Sequence, residues 1–211
     1  LPSLLPELHI ISNGTQSMET VLNIFSEIHP FAHALHIREK KWSALDMGLV
    51  IEGLIQSGVP SAKIYINDRV DIARAYQVGG IQLGERSLRP QQIKAWSANM
   101  RIGRSIHEVR AAQDAKIQGA DYAMFGHIFP TESKHNLHSR GILELQSVCR
   151  STDIPIIALG GMTPDRVHMV VEAGANGIAI MSGVMSASDP QRAVKAFLHA
   201  LQEAFSSNSV T

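Results

Sequence analysis

The stretch IPIIALGGMTPD, Ile154 to Asp165, and the shorter NGIAIMSG, Asn176 to Gly183, decide the reading of this chain. Each is an apolar run of strand length that stops abruptly in small residues just before a helix. In a parallel α/β fold this is how a phosphate site is built. Glycine leaves backbone N–H groups uncovered, and the helix start that follows adds its positive dipole end. When the seventh and eighth strands of an eight-stranded barrel both end this way, their loops hold one phosphate monoester. The ligand expected from this pair is a small phosphorylated molecule.

Working outward, short runs rich in Ile, Val, Leu and Ala alternate with longer segments of helical period, the signature of repeated βα units around a parallel sheet. The strand candidates are Leu8 to Ser12, Ala34 to Glu39, Lys63 to Asn67, Gly80 to Gly84, Arg101 to Ser105, Tyr122 to His127, Ile156 to Gly161 and Gly177 to Gly183. HEVRAAQDAKIQGA is typical of the segments between them, with apolar Val109, Ala112, Ala115 and Ile117 and a stop at Gly119. Eight such units in a chain of 211 residues predict a TIM (β/α)8 barrel with few insertions. An open doubly wound sheet is the competing architecture, and the paired loops favour the barrel because they need strands seven and eight side by side. One domain is expected over residues 1–205, with residues 206–211 as a frayed tail.

Composition narrows the function classes. With 45% hydrophobic residues the chain can bury one substantial core, and 19 basic residues balance 19 acidic ones. No basic run marks a nucleic acid or an anionic membrane surface as partner. The single cysteine, Cys149, lies in an apolar helical stretch and reads as an inert thiol of a reduced compartment. LPSLLPELHIIS carries neither a basic leader nor a long apolar stretch, so a cytoplasmic location is expected.

In a barrel, function collects at the C-terminal strand ends. Arg38 and Lys40 follow His36 at alternating positions, which aims them at one face, and cations there favour an anion contact over burial without a partner. Ser105, Gly160, Gly161, Met181 and Ser182 also end strands. Asp68 is a candidate metal ligand, but a Mg²⁺ site that grips a diphosphate needs a second carboxylate, for which Glu85 is the nearest substitute. Asp71 is better explained by the helix dipole. His107 with Glu108 reads equally well as a helix-start pair or as part of a site. His127 ends strand six just before a long polar loop, IFPTESKHNLHSR, and imidazole can both accept and donate a proton near working pH.

The segments LHIREK, INDRVDIARA, GIQLGE, IGRSIHE, GADYAMFGHIFPTESK, IPIIALGGMTPD and AGANGIAIMSG resemble, in order, the motif series of the thiamin phosphate synthase superfamily, over nearly the whole chain. Within it the chain looks more like the TenI branch of thiazole tautomerases. Synthases read GPVFPT where Gly126 to Thr131 stand, and the histidine in place of proline carries the tautomerase proton-transfer role onto His127. Synthases also carry glutamine at the position of His36, and a second metal-binding aspartate in GQED where this chain has Gly84 to Ser87. The resemblance places phosphate contacts at Gly161, Met181 and Ser182, and thiazole and diphosphate contacts at Thr131, Ser133 and Lys134. INDR and PTESK are synthase-like and depart from a clean tautomerase pattern.

The resemblance implies an isomerase that converts the thiazole phosphate carboxylate tautomer to its aromatic form, with His127 moving the proton and neither metal nor organic cofactor required. Two alternatives stand beside it. One is a Mg²⁺-dependent thiamin phosphate synthase, which joins a pyrimidine diphosphate to the thiazole phosphate. The other is a non-catalytic regulatory binder of a thiazole or thiamin phosphate. Small barrels of this sort often pair through their helices, so a homodimer or higher homo-oligomer is compatible with the chain.

Overall fold

The computed structural model describes residues 6–97, 99–131 and 138–208. Eight strands, β1 (Glu7–Ile11), β2 (Ala34–Ile37), β3 (Ile64–Asn67), β4 (Gly80–Leu83), β5 (Arg101–Ile106), β6 (Tyr122–Gly126), β7 (Ile156–Leu159) and β8 (Gly177–Ile180), pair in sequence order into a closed barrel. Every pairing is parallel, including β8 with β1, whose register sets Leu8 against Ile178. Seven strands fall within two residues of the expected runs, and β8 stops three residues short of its expected end, at Ile180. The runs that end in loop residues were read too long, because the terminal glycines, His127 and Ser12 already leave the ladder.

Helices cover the outside. The ends of α1 (Met18–Ile28) and α2 (Ala44–Gln56) follow from local chemistry: Ser17 Oγ accepts from the Thr20 N–H at 3.1 Å, and Ser43 with Asp46 forms a reciprocal capping box. The helices α3 (Val70–Ala75), α4 (Pro90–Ile93), α5 (Val109–Ile117), α6 (Gly141–Ser151), α7 (Val167–Glu172) and α8 (Ser182–Met185) complete the units. On α5, Ala112 and Ala115 are buried as expected, whereas Ile117 at the last turn is 80% exposed. The last helix, α9 (Pro190–Asn208), lays Val194, Phe197, Leu201 and Ala204 on the barrel at three- and four-residue spacing. It includes Ser206 to Asn208, and residues 209–211 lie outside the described residues. No described helix is long and apolar enough to cross a membrane.

Strand alternation divides the core in two. Leu8, Ile10, Leu35, Ile37, Ile64 and Ile66 face the helices, and each fully buried side chain of this size contributes roughly 1.5–3 kcal/mol. Ile11, Ala34, Tyr65, Tyr122, Met124, Ile157 and Ala179 fill the barrel interior. The interior also holds charge. Arg101 donates to both Glu7 oxygens, at 2.8 and 3.1 Å, and lies 4.8 Å over the Tyr122 ring. Burial alone would raise the Glu7 pKa, but hydrogen bonds from His9 and Arg101 outweigh it and hold the carboxyl at about 2, below its usual 4.5.

A depressed carboxylate stabilises the fold above its unfolded pKa, and that contribution is lost as pH falls through the folded value. Between pH 4.5 and 2 the wild type is expected to lose on the order of 3 kcal/mol that a Glu7→Gln variant never had. Denaturant titrations of both proteins at stepped pH check this. Parallel stability curves over that window would refute it.

Candidate functional site

The C-terminal ends of β7 and β8 lie side by side, because Leu159 pairs with Ala179. Gly160 and Gly161 continue from one and Met181 and Ser182 from the other. Both glycines have positive φ, +99° and +63°. The conformation alone asks for glycine, and crowding asks for it again. A Cβ on Gly160 would stand 2.3 Å from the His127 Cβ, and one on Gly161 would stand 2.5 Å from the Pro130 carbonyl oxygen. The loop after β6 is thus pressed onto the loop after β7. The Ile128 N–H donates to the Leu159 carbonyl at 3.0 Å and the Phe129 N–H to the Gly160 carbonyl at 3.1 Å. Arg166 braces the far side, donating to the Gly161 carbonyl at 2.7 Å with its guanidinium over the Phe129 ring. At β8, Met181 precedes α8, so the first N–H groups of that turn, from Ser182 and Gly183, have no acceptor within the helix.

His127 is 5% exposed and packs on Gly160 at the edge of this cradle. Its carbonyl accepts from the Arg140 N–H at 2.9 Å. The preceding Gly126 carbonyl accepts from Arg140 Nε at 3.3 Å and is 3.1 Å from His107 Nδ1. His107 therefore does two things at once: it follows β5 and it meets the end of β6.

Ser105 lies on β5 and its hydroxyl accepts from Gln82 Nε2 at 3.0 Å. Arg38 is half-buried just beyond β2, and its N–H donates to Ser12 Oγ at 2.8 Å. Lys40 is exposed in the loop, away from the fully buried His36, so the three do not share one environment as their spacing predicts. The chain curves out of the strand at Ile37, and the period-two pattern ends there. Thr131 is half-exposed at the edge of the described residues, while Ser133 and Lys134 lie outside them.

Asp68, with φ +66°, ends β3 ahead of α3. Its Oδ1 accepts from the Gly84 N–H at 3.1 Å and from the Ser87 hydroxyl, so it ties the β4 loop to β3. Asp71 pairs with Arg69 through two hydrogen bonds, 2.9 and 2.6 Å, as a helix-start carboxylate. A cavity of about 500 Å³ opens beside the end of β5, lined by Glu85, Arg104, Ser105, His107, Arg140 and Glu144 among others. The β7 and β8 loops do not line it. Cys149 sits on α6 with its thiol pushed up to about 12 by burial, which makes it unreactive at neutral pH.

Sequence reasoning missed the barrel interior. Glu7, His9, Arg101, Tyr65 and Tyr122 form a polar column below the site. The available signal was ELHII, where Glu7 and His9 alternate with apolar residues in a strand expected to be buried on both faces.

The family model described as thiamine monophosphate synthase, TMP-TENI, matches residues 8–184. The chain is 30% identical over 190 residues to the thiamine-phosphate synthase of Methanobrevibacter smithii, covering 87% of this chain and 90% of that protein. It is 30% identical over 200 residues to the thiamine-phosphate synthase of Pyrococcus abyssi, covering 93% and 95%. The solved thiamine phosphate pyrophosphorylase of Pyrococcus furiosus superposes with a TM-score of 0.80 at 27% identity, over 94% of this chain and 96% of that one. These relatives correct the expected isomerase class: proteins similar over most of the chain are named for a synthase, a transferase. The isomerase expectation rested on three departures from the synthase pattern, His127 in place of proline, His36 in place of glutamine, and Ser87 in place of the second aspartate.

Proposed function

This chain belongs to the thiamine monophosphate synthase family, TMP-TENI, and on that premise we propose that it joins a pyrimidine diphosphate to a thiazole phosphate with release of diphosphate. The observation that carries the reading, beside the relatives, is the paired cradle at β7 and β8. Gly160, Gly161, Met181 and Ser182 offer uncovered backbone N–H groups to the thiazole phosphate, with the start of α8 behind them. Ser105 and Thr131 are assigned to the reacting rings. Arg38, Lys40 and the two residues Ser133 and Lys134 are assigned to the diphosphate, whose charge they offset.

A Mg²⁺ ion is implied for this reaction, and the described residues do not fit one. Asp68 Oδ1 is occupied by the Gly84 N–H and the Ser87 hydroxyl, with serine standing where a second carboxylate is needed. Among the described residues no group of three or more His, Cys, Asp or Glu could hold a metal ion. His127, packed against the cradle, is assigned to give a proton to the departing diphosphate oxygen as the C–O bond breaks and the C–N bond to the thiazole forms.

The test is incubation of the chain with both substrates in Mg²⁺ buffer and detection of thiamin phosphate by mass spectrometry. Product above the enzyme-free rate is expected. Binding of the thiazole phosphate with no product would instead favour a regulatory binder.

A further inference from the structure

Three neighbouring strands bring two buried polar side chains together over a glycine. The register sets Gly103 of β5 opposite Gln82 of β4 on one side and opposite Tyr122 of β6 on the other. All three face the barrel interior, one step along the strands below Ser105. A Cβ on Gly103 would stand 2.2 Å from Gln82 Oε1 and 2.4 Å from Tyr122 Oη, so both side chains reach into the space that glycine leaves open. Neither is accessible to solvent: Tyr122 is fully buried and Gln82 is 1% exposed. The Tyr122 ring is packed among His9, Tyr65 and the Arg101 guanidinium, which fixes the direction of its hydroxyl.

Gln82 Nε2 donates upward to Ser105 Oγ at 3.0 Å. Among the described residues, Gln82 Oε1 and Tyr122 Oη are buried without a hydrogen-bond partner. The two are complementary. Burial holds the Tyr122 phenol well above its ordinary pKa, so it keeps its proton and can donate, whereas an amide oxygen can only accept. Buried polar groups left unpaired are costly, which drives the phenol hydrogen toward the amide oxygen beside it. The amide has two orientations with opposite consequences for Ser105. With Oε1 toward Tyr122, Nε2 donates to Ser105, and the serine keeps its own hydrogen for an acceptor at the barrel mouth. Turned over, Oε1 takes the serine hydrogen and Nε2 donates to the phenol oxygen, so Ser105 offers a ligand only lone pairs. The Tyr122 hydrogen has its acceptor in the first orientation and loses it in the second.

We propose that Tyr122, acting through the Gln82 amide, keeps Ser105 as a hydrogen-bond donor to an acceptor atom of the bound heterocycle. Tyr122 and Gln82 are positioning residues for Ser105, and Gly103 is the opening that lets them meet. The ligand half rests on the coupling reaction proposed above. The orientation of the amide does not.

Neutron diffraction from the perdeuterated, ligand-free protein reads the orientation directly. Gln82 deuterons facing Ser105, and the Tyr122 deuteron directed at Gln82 Oε1, are expected. Gln82 deuterons facing the phenol, or a Ser105 deuteron directed at Gln82, would overturn the proposal without any variant being needed. A double-mutant cycle tests the link to the ligand. Tyr122→Phe removes one oxygen, keeps the ring packing, and should lower kcat/KM for coupling about ten-fold. In a Ser105→Ala background the same substitution should change kcat/KM by less than about two-fold, because its effect passes through the serine. No loss in Tyr122→Phe, or an equal loss in both backgrounds, would refute the positioning role. Should the wild type form no thiamin phosphate while the deuterons lie as expected, the amide orientation stands and the proposed reaction falls.

Discussion

His127→Ala is expected to lower kcat for thiamin phosphate formation by about 10²- to 10⁴-fold while KM for either substrate changes little. His127 follows β6 directly, is almost fully buried, and is pressed onto Gly160, whose loop carries half of the phosphate cradle. A proton donor is valuable there only in the step that breaks the C–O bond to the departing diphosphate, so its removal should appear in turnover and not in binding. Steady-state kinetics with each substrate varied in turn make the measurement. His127→Gln, which keeps bulk and hydrogen bonding but cannot transfer a proton, should fail equally. Full turnover in either variant would remove His127 from the chemistry.

Gly160→Ala should be nearly as damaging, through geometry. Its φ of +99° is one that alanine adopts only with strain, and the added Cβ would lie 2.3 Å from the Cβ and 2.6 Å from the Cα of His127. Neither atom is the flexible end of a side chain, so one of the two strand ends must move. Strain and overpacking together are expected to cost roughly 2–4 kcal/mol of stability, read by denaturant unfolding. Turnover should fall by at least ten-fold in the protein that remains folded, because the displaced element carries both the proton donor and the cradle. A variant of wild-type stability and rate would mean that the loop has slack the packing does not show.

The barrel was legible because its evidence repeats. Eight apolar runs, each closed by turn residues, leave few other ways to arrange a parallel sheet, and the strand ends were placed to within three residues. The cradle was legible for a related reason: the two positive-φ glycines that follow β7 and the short MSG segment that follows β8 leave a composition signal at a fixed place. Other parts of the site were opaque. Arg38, His36 and Lys40 obey one spacing rule yet lie in three environments, because β2 ends at Ile37 and spacing does not report where a strand stops. The role of Ser87 as a hydrogen-bond donor to Asp68 joins residues 19 positions apart and has no sequence signature. The reaction class was misread for a different reason. Three departures from the synthase pattern, at His127, His36 and Ser87, outweigh the synthase-like INDR and PTESK segments in the sequence, and relatives similar over most of the chain reverse that weighting.

Diphosphate release as a function of thiazole phosphate concentration, at fixed pyrimidine diphosphate in Mg²⁺ buffer, tests the central claim most directly. The account predicts release that saturates with thiazole phosphate and yields one diphosphate for each thiamin phosphate formed. No release, or release indifferent to thiazole phosphate, would contradict a coupling enzyme.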